Sequence, residues 1–195
     1  LQLQPQREEF FLNPLGEEPK ELEKSDEVVD YLARLNERHA EGAPGKEVPN
    51  ASEGTWFNTD ANSLEDFRGR FVLLDFWFIG CGPCHRDMPQ LKAAHAAFPK
   101  DKFVVVGIHN NSSTPAQVGD FLEKDKIDYA TVVDDGRGQI ARQFAPLGLR
   151  GYPFYILLDP NGKIVHNEAF STPISRSLRM QKLELIHNAV LSWDW

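Results

Sequence analysis

The sequence is poor in cysteine, in bases and in long apolar runs. Its 195 residues include two cysteines, and 21 bases stand against 29 acids, which gives a formal net charge of -8. Two cysteines exclude a disulfide-rich secreted scaffold, which needs several bridges. The acidic balance argues against nucleic acid as a partner, because binding to phosphates depends on Lys and Arg. No apolar run reaches the roughly 18 residues of a membrane-spanning helix, so we expect no span in this chain.

The remaining composition is typical of a globular protein. Apolar residues make up 41% and charged residues 26% of the chain, which are ordinary values. A chain of this length buries roughly 70% of its unfolded surface, so it can form a substantial core. The chain begins LQLQPQ, without an initiator Met or a basic-then-apolar secretion signal. We therefore expect a processed form or a piece of a longer protein.

Residues 1–53 differ in charge and proline content from the rest of the chain. The first 50 residues hold 12 acids and 6 bases, a difference of -6, and five prolines interrupt them. Ser25 followed by two acids is typical of a helix start, and Val28, Leu32 and Leu35 recur at helical spacing. We predict an acidic extension or linker over 1–53 with one helix over about residues 26–41, followed by one domain over 54–195.

From residue 54 onward, the pattern alternates between buried strands and helices. Apolar runs fit buried strands at residues 71–79, 103–108 and 129–133. Two helices are predicted between these strands, one after residue 80 that is kinked at Pro89 and one from the capping box Thr114–Gln117. A third helix is predicted after them, at 138–144. A turn at Asp159–Gly162 predicts a hairpin, and an apolar stripe that ends at Trp193 predicts a closing helix. This order predicts an α/β fold with a central mixed β-sheet flanked by helices on both faces.

Both cysteines lie in one short motif, Cys81-Gly82-Pro83-Cys84, between a predicted strand and a predicted helix. Unpaired amide N–H groups and the positive end of the helix dipole favour a thiolate over a thiol at a helix N-terminus. Cys81 is therefore predicted to be a nucleophile. Cys84 lies one turn into the helix and is expected to be less exposed. It is placed to attack a mixed disulfide on Cys81, as a resolving thiol.

A metal site and a purely structural pair are the alternatives for these thiols. Zinc requires four ligands, and the chain has no second CxxC motif. His85, His95 and His109 are the candidate further ligands, and none stands at a metal-site spacing from the pair. A structural bridge would close a ring too short to give much loop-closure stabilisation. Redox exchange is favoured, without a metal or another cofactor, because the thiol pair itself carries the electrons.

Several segments of the chain resemble a known group of redox proteins. DFWFIGCGPC is similar to the active-site segment of thioredoxins, and the resemblance extends from about Trp56 to His166. SLEDFRGRFVLLDFW and GYPFYILLDPNGKIV resemble more closely the TlpA/ResA-like thiol-disulfide oxidoreductases, which insert a helix and a strand after the active-site helix. Residues 114–133 fit that insertion. The resemblance implies a thioredoxin-like fold and thiol-disulfide exchange with protein substrates, in the direction of a reductase.

The resemblance also implies catalytic roles for two acids. Asp75 matches the buried carboxylate that exchanges a proton with the resolving cysteine, and burial in an apolar strand is expected to raise its pKa. Asp87, three residues after Cys84, matches a position where the TlpA/ResA-like group usually has Glu. It is expected to oppose thiolate formation and to relay protons to Cys84, with a shorter reach than Glu. A paired structural acid at Asp75 and an exposed helix residue at Asp87 are the alternatives.

The same resemblance implies a substrate-binding surface around the thiols. Tyr152-Pro153 matches the loop whose proline is cis in this fold and whose preceding residue offers its backbone to an extended substrate. Gly80 departs from the group, in which a Trp often precedes the first cysteine, and this departure changes the surface beside the thiol. The resemblance implies that Trp77, four positions before Cys81, supports the active-site loop. The implied substrate-binding residues are Trp77, Gly82, Pro83, Tyr152 and Pro153.

Two histidines near the motif carry less information. His85 follows Cys84, where a positive charge would favour the thiolate, and a solvated helix histidine is the alternative. His109 is expected chiefly to end its strand, with a place near the site as the alternative.

The resemblance further implies protein thiols and disulfides as substrates, together with an upstream electron donor. Relatives of this type commonly face the periplasm or the cell exterior, so an extracytoplasmic location is expected. The alternative function is a thioredoxin-like binding module of a larger protein that uses the substrate groove without turnover. Turnover of a protein disulfide distinguishes the two.

Overall fold

The computed structural model describes residues 42–134, 137–167, 169 and 188–194. The predicted helix over about residues 26–41 and the greater part of the predicted closing helix lie outside the described residues. Residues 188–191 are helical, and Val190 and Trp193 pack in the core as the apolar stripe predicts.

The described residues form a six-stranded mixed sheet. Strand β3 is parallel to β2 and to β4, whereas β1 pairs antiparallel with β4, β5 with β2, and β6 with β5. Strand β2, which precedes the cysteine motif, therefore lies in the interior of the sheet. The order across the sheet is β1-β4-β3-β2-β5-β6, and the strands are β1 (Thr55–Phe57), β2 (Phe71–Trp77), β3 (Phe103–His109), β4 (Ala130–Val133), β5 (Phe154–Leu158) and β6 (Ile164–Asn167).

Helices cover both faces of this sheet. Side chains of α1 (Gly82–Ala97) and α2 (Pro115–Lys124) pack with Val190 in the core cluster on one face. On the other face, α3 (Gln139–Phe144) and a 3-10 turn at Leu64–Phe67 pack in a second core cluster. The predicted mixed sheet with helices on both faces is therefore confirmed.

Strand β2 is buried on both faces, as its apolar sequence predicts. All seven of its side chains are buried, and successive side chains of a strand point to opposite faces. Phe71, Leu73 and Trp77 pack in the core cluster that also contains α1 and the two cysteines. Asp75, the one charged residue of β2, occupies the same face by alternation. The strand therefore carries a carboxylate toward the helix that begins with the cysteine motif.

The structure adds one strand to the prediction and shortens another. Strand β1 was not predicted, because its three residues are exposed or half-buried and show no apolar run. Strand β2 ends at Trp77 instead of Ile79, since residues 78–80 turn into α1. The capping box at α2 is confirmed: Thr114 Oγ1 accepts the Gln117 N–H at 3.3 Å, and Gln117 Oε1 accepts the Thr114 N–H at 2.9 Å.

Part of the predicted extension contacts the sheet. The Gly45 N–H donates to the Ile164 carbonyl at 2.7 Å, and the Ile164 N–H donates to the Lys46 carbonyl at 2.8 Å. Ala51 is fully buried in the core. Residues 45–51 therefore pack against the domain beside β6, while the division of the chain after residue 53 stays a prediction.

Gly54 allows the chain to approach β4 closely before β1 begins. An added Cβ would overlap Val132 Cγ2 and would lie 2.7 Å from the Val133 carbonyl oxygen. We expect Gly54→Ala to lower the free energy of unfolding by about 1 to 3 kcal/mol, because a backbone atom cannot yield to the added methyl group. Urea denaturation measures the change.

Gly151→Ala is the matched control, since no atom lies within 4 Å of its added Cβ. Its unfolding free energy is expected to stay within about 0.5 kcal/mol of the parent. Equal losses in the two variants would contradict the close approach at Gly54.

Candidate active site

The two cysteines form a disulfide bond at the N-terminus of α1. Cys81 is the N-cap residue, and its Sγ accepts the Cys84 N–H at 3.2 Å. Pro83 stands in the first turn, where its missing N–H costs no helical hydrogen bond. The prediction that the motif begins a helix after a buried strand is therefore confirmed, and Cys81 lies where the helix presents its unpaired amide groups.

Both cysteines are almost fully buried in the oxidised pair. Cys81 is 4% exposed and Cys84 is 2% exposed, so Cys81 is the more accessible of the two by a small margin. Gly82 and Pro83 are exposed beside them. The exposed part of the motif is therefore the Gly82-Pro83 corner.

A short loop over residues 78–80 joins β2 to the cysteines. The Cys81 N–H donates to the Phe78 carbonyl at 3.0 Å, which closes the loop. The Ile79 N–H donates to Nε2 of His109, the last residue of β3, at 3.1 Å. Trp77 is fully buried beneath this loop, and its indole meets the His109 ring edge to face at 4.7 Å. Its burial fits the supporting role that the resemblance implies, and its part in substrate binding stays a prediction.

Buried polar groups lie on the sheet face beneath α1. Asp75 is 1% exposed and pairs across the strands with Gly107. Burial raises the pKa of the Tyr129 phenol well above its usual value, and the negative charge of Asp75 adds to this rise. Tyr129 directly precedes β4 and is fully buried. The structure confirms that Asp75 is buried, and its exchange of a proton with Cys84 stays a prediction.

Asp87 is fixed by a tyrosine that the sequence reasoning missed. The Tyr155 hydroxyl on β5 donates to Asp87 Oδ2 on α1 at 3.0 Å. Tyr155 is 2% exposed and lies beside Asp75 in the sheet register. Strand alternation was the available signal, because it places Tyr155 on the same face as Leu157 and hence toward α1. Asp87 is therefore half-buried and hydrogen-bonded to Tyr155, and it is not the exposed helix residue of the alternative interpretation.

The Tyr152-Pro153 peptide bond is cis, as the resemblance implies. Tyr152 is half-buried and meets the Phe78 ring edge to face at 5.4 Å. Burial raises the pKa of the Tyr152 phenol, a hydrogen bond with the Asn110 side chain opposes the rise, and the charge of Asp134 adds to it. The proline loop therefore packs against the loop that precedes Cys81.

Phe78 occupies the space beside Gly80. A Cβ built on Gly80 would lie 3.1 Å from Phe78 Cε2. An aromatic ring therefore remains near Cys81 although the residue directly before it has no side chain. Phe78 is a second residue that the sequence reasoning missed, and its position in the motif loop was the available signal.

The histidines considered as metal ligands have other partners or are exposed. His95 Nδ1 accepts the Val105 N–H at 3.1 Å, and the His109 ring is bonded to two backbone groups. His85 is exposed and lies against the Phe121 ring at 5.2 Å. Among the described residues, no group of three or more His, Cys, Asp or Glu side chains is arranged to bind a metal.

A family model described as Redoxin matches residues 43–177. The chain belongs to the Redoxin family. A solved structure of the thioredoxin domain of a thiol-disulfide oxidoreductase from Bacteroides vulgatus matches at a TM-score of 0.60 with 28% identity, covering 74% of this chain and 98% of that one. This match confirms the thioredoxin-like fold.

Two curated relatives of differing length are similar to this chain. Thiol-disulfide oxidoreductase ResA of Bacillus thuringiensis subsp. konkukian is 29% identical over 125 residues, which is 62% of this chain and 66% of that protein. Protein SUPPRESSOR OF QUENCHING 1, chloroplastic, of Arabidopsis thaliana is 29% identical over 143 residues, or 71% of this chain. The chain spans 13% of the length of that relative, so the match covers a small part of it.

We expect Tyr155→Phe to lower the free energy of unfolding by about 1 to 2 kcal/mol, because Asp87 loses a hydroxyl donor. Urea denaturation of Tyr155→Phe, Asp87→Ala and the double variant forms a double-mutant cycle. We expect a coupling energy of about 0.5 kcal/mol or more between the two side chains. Strictly additive effects would contradict the hydrogen bond across α1 and β5.

Proposed function

We propose that this protein is a thiol-disulfide oxidoreductase that exchanges the Cys81–Cys84 pair with disulfides of protein substrates. The observation that carries the proposal is the disulfide at the first turn of α1, with the Cys84 N–H donating to Cys81 Sγ. At this position, the Cys84 N–H and the positive end of the helix dipole would stabilise a Cys81 thiolate after reduction. The names of ResA and of the Bacteroides vulgatus structure support the same chemistry.

In the proposed reaction, the reduced Cys81 thiolate attacks a substrate disulfide. A bond forms between Cys81 Sγ and one substrate sulfur, the substrate disulfide breaks, and the leaving thiolate takes a proton. The Cys84 thiolate then attacks Cys81 Sγ, forms the Cys81–Cys84 bond and releases the second substrate thiol. Two electrons pass from the protein to the substrate. A dithiol donor restores the reduced pair by the reverse exchange.

We assign Asp75 and Asp87 to proton transfer with Cys84. Asp75 is buried on the sheet face beneath α1, and Asp87 lies on α1 one turn after Cys84. Cys84 must lose its proton to act as a nucleophile, so a nearby carboxylate that accepts it would speed the second step. Gly82, Pro83, Tyr152 and Pro153 form the proposed substrate surface, with Trp77 supporting it from below.

The resemblance also supports a direction of electron transfer and a cellular location for this protein. The Gly-Pro pair between the cysteines is of the thioredoxin type, which favours a reductase. We propose an extracytoplasmic location, where protein disulfides are available as substrates. Among the described residues, no helix has the length and apolar character needed to cross a membrane.

Cys84→Ser is expected to trap a substrate on Cys81 through a mixed disulfide, because the resolving thiol is absent. The measurement is a gel shift that dithiothreitol reverses, after incubation with insulin as a model protein disulfide. Cys81→Ser is the matched control and is expected to trap less, since its remaining thiol is the more buried one. The unchanged protein is expected to reduce insulin repeatedly with a dithiol donor. Absence of both trapping and turnover would favour the binding module.

The reductase direction predicts a reduction potential nearer to about -270 mV than to about -120 mV, the values typical of thioredoxin and of a strong oxidant. Equilibration with glutathione mixtures of known potential, followed by counting of free thiols, measures it. A value above the midpoint of the two would contradict a reductase and would leave exchange in the oxidising direction.

A further inference from the structure

His109 is a fully buried ionisable residue to which the proposed reaction assigns no task. Its Nε2 accepts the Ile79 N–H at 3.1 Å, and its Nδ1 lies 2.6 Å from the Asn110 carbonyl oxygen. An amide N–H only donates and a carbonyl oxygen only accepts, so both bonds require a proton on Nδ1 and a bare Nε2. The geometry therefore specifies a neutral ring in one tautomer. Burial favours the same form, because it lowers the pKa of His109. The hydrogen bond to the Asn110 carbonyl raises this pKa by a smaller amount.

The bond from His109 reaches the loop on which Cys81 depends. Ile79 lies in the 78–80 loop between the end of β2 and the start of α1. That loop is closed on itself by the bond from the Cys81 N–H to the Phe78 carbonyl, and it is tied to β3 by His109. The ring is also packed against the Trp77 indole. The side chain of a neighbouring strand thus sets the path by which the chain enters the first turn of α1.

We propose that neutral His109 is a positioning residue for Cys81. By accepting the Ile79 N–H, it holds the 78–80 loop so that the Cys81 sulfur stays at the N-cap of α1, where it receives the Cys84 N–H. This inference deepens the proposed function and rests on it for the role of Cys81. It assigns to His109 no contact with the reacting sulfur.

A packing role for His109 makes a different prediction from a positioning role. If the ring only fills space, any side chain of similar size maintains the reactivity of Cys81. If the acceptor matters, a side chain without one leaves the Ile79 N–H unpaired and releases the loop, since a buried donor without a partner is costly. A side chain that restores an acceptor near the place of Nε2 then restores the reactivity.

Two variants separate these roles. His109→Met has no comparable acceptor, whereas His109→Gln carries an amide oxygen at a similar distance from the backbone as Nε2. His95→Met is the matched control, because His95 is also buried and also accepts a backbone N–H, from Val105 at 3.1 Å. His95 lies in the last turn of α1, away from the cysteines, so its loss affects folding without moving the 78–80 loop.

The measured quantity is the rate at which reduced protein attacks an aromatic disulfide reagent at pH 7. We expect His109→Met to slow this reaction about tenfold, as the loss of one hydrogen bond that holds the reactive geometry would. We expect His109→Gln to recover most of the rate, and His95→Met to leave it unchanged. Equal slowing by Met and Gln, or no slowing by Met, would overturn the proposal.

The tautomer gives a second test that does not depend on variants. Nitrogen-15 spectra of the unchanged protein at pH 7 are expected to show a protonated Nδ1 and a bare Nε2 for His109. A doubly protonated ring or the opposite tautomer would overturn the proposal, even if His109→Met fails to fold. Both tests use a chemical reagent or a spectrum and no protein substrate. Failure of the protein to reduce insulin would therefore contradict the proposed function, whereas the reagent and the spectrum decide the role of His109.

Discussion

The structure of the site depends on one hydrogen bond, from the Cys84 N–H to the Cys81 sulfur. This bond makes a cysteine the N-cap of α1, a position usually taken by an oxygen-bearing side chain. The first amide groups of a helix have no partner within the helix, so a negative sulfur at this point is stabilised by the Cys84 N–H and by the positive end of the helix dipole. The chemistry proposed for the pair follows from that placement.

The surrounding fold holds Cys81 at the N-cap of α1. Strand β2 is buried along its whole length and is held by β3 on one side and β5 on the other, so its end is a fixed point. The 78–80 loop carries the chain from this point to Cys81. Residues from both neighbouring strands reach the site: His109 from β3 contacts the loop, and Tyr155 from β5 contacts Asp87 on α1. The sheet thus holds the loop before α1 from one side and the second turn of α1 from the other.

Local signals in the sequence were sufficient to predict five of the six strands of the described sheet, the helices α1 to α3 and the position of the cysteines. The apolar run in β2, the Gly82-Pro83 pair and the capping box at α2 each depend on residues close together in the chain. The cis bond before Pro153 and the roles of Asp75 and Asp87 came from the resemblance, because composition and spacing do not specify them.

Contacts between distant residues could not be predicted from such signals. Tyr155 and Asp87 are 68 positions apart, and Ile79 and His109 are 30 apart, so each pair meets only when a strand packs against a distant helix or loop. Strand β1 was missed for the same reason, since it is defined by pairing with β4 and not by its own pattern. The sequence reasoning therefore reached the motif and the fold but not the side chains that support the motif.

The measurement that tests the account most directly is the alkylation rate of Cys81 in the reduced protein at pH 7, compared with cysteine in an unstructured peptide. Because the thiolate is the reacting form, the rate reports how strongly the start of α1 stabilises it. The account predicts that Cys81 reacts about tenfold faster than the peptide thiol, and that Cys84 reacts more slowly than Cys81. A Cys81 that reacts no faster than the peptide would contradict it.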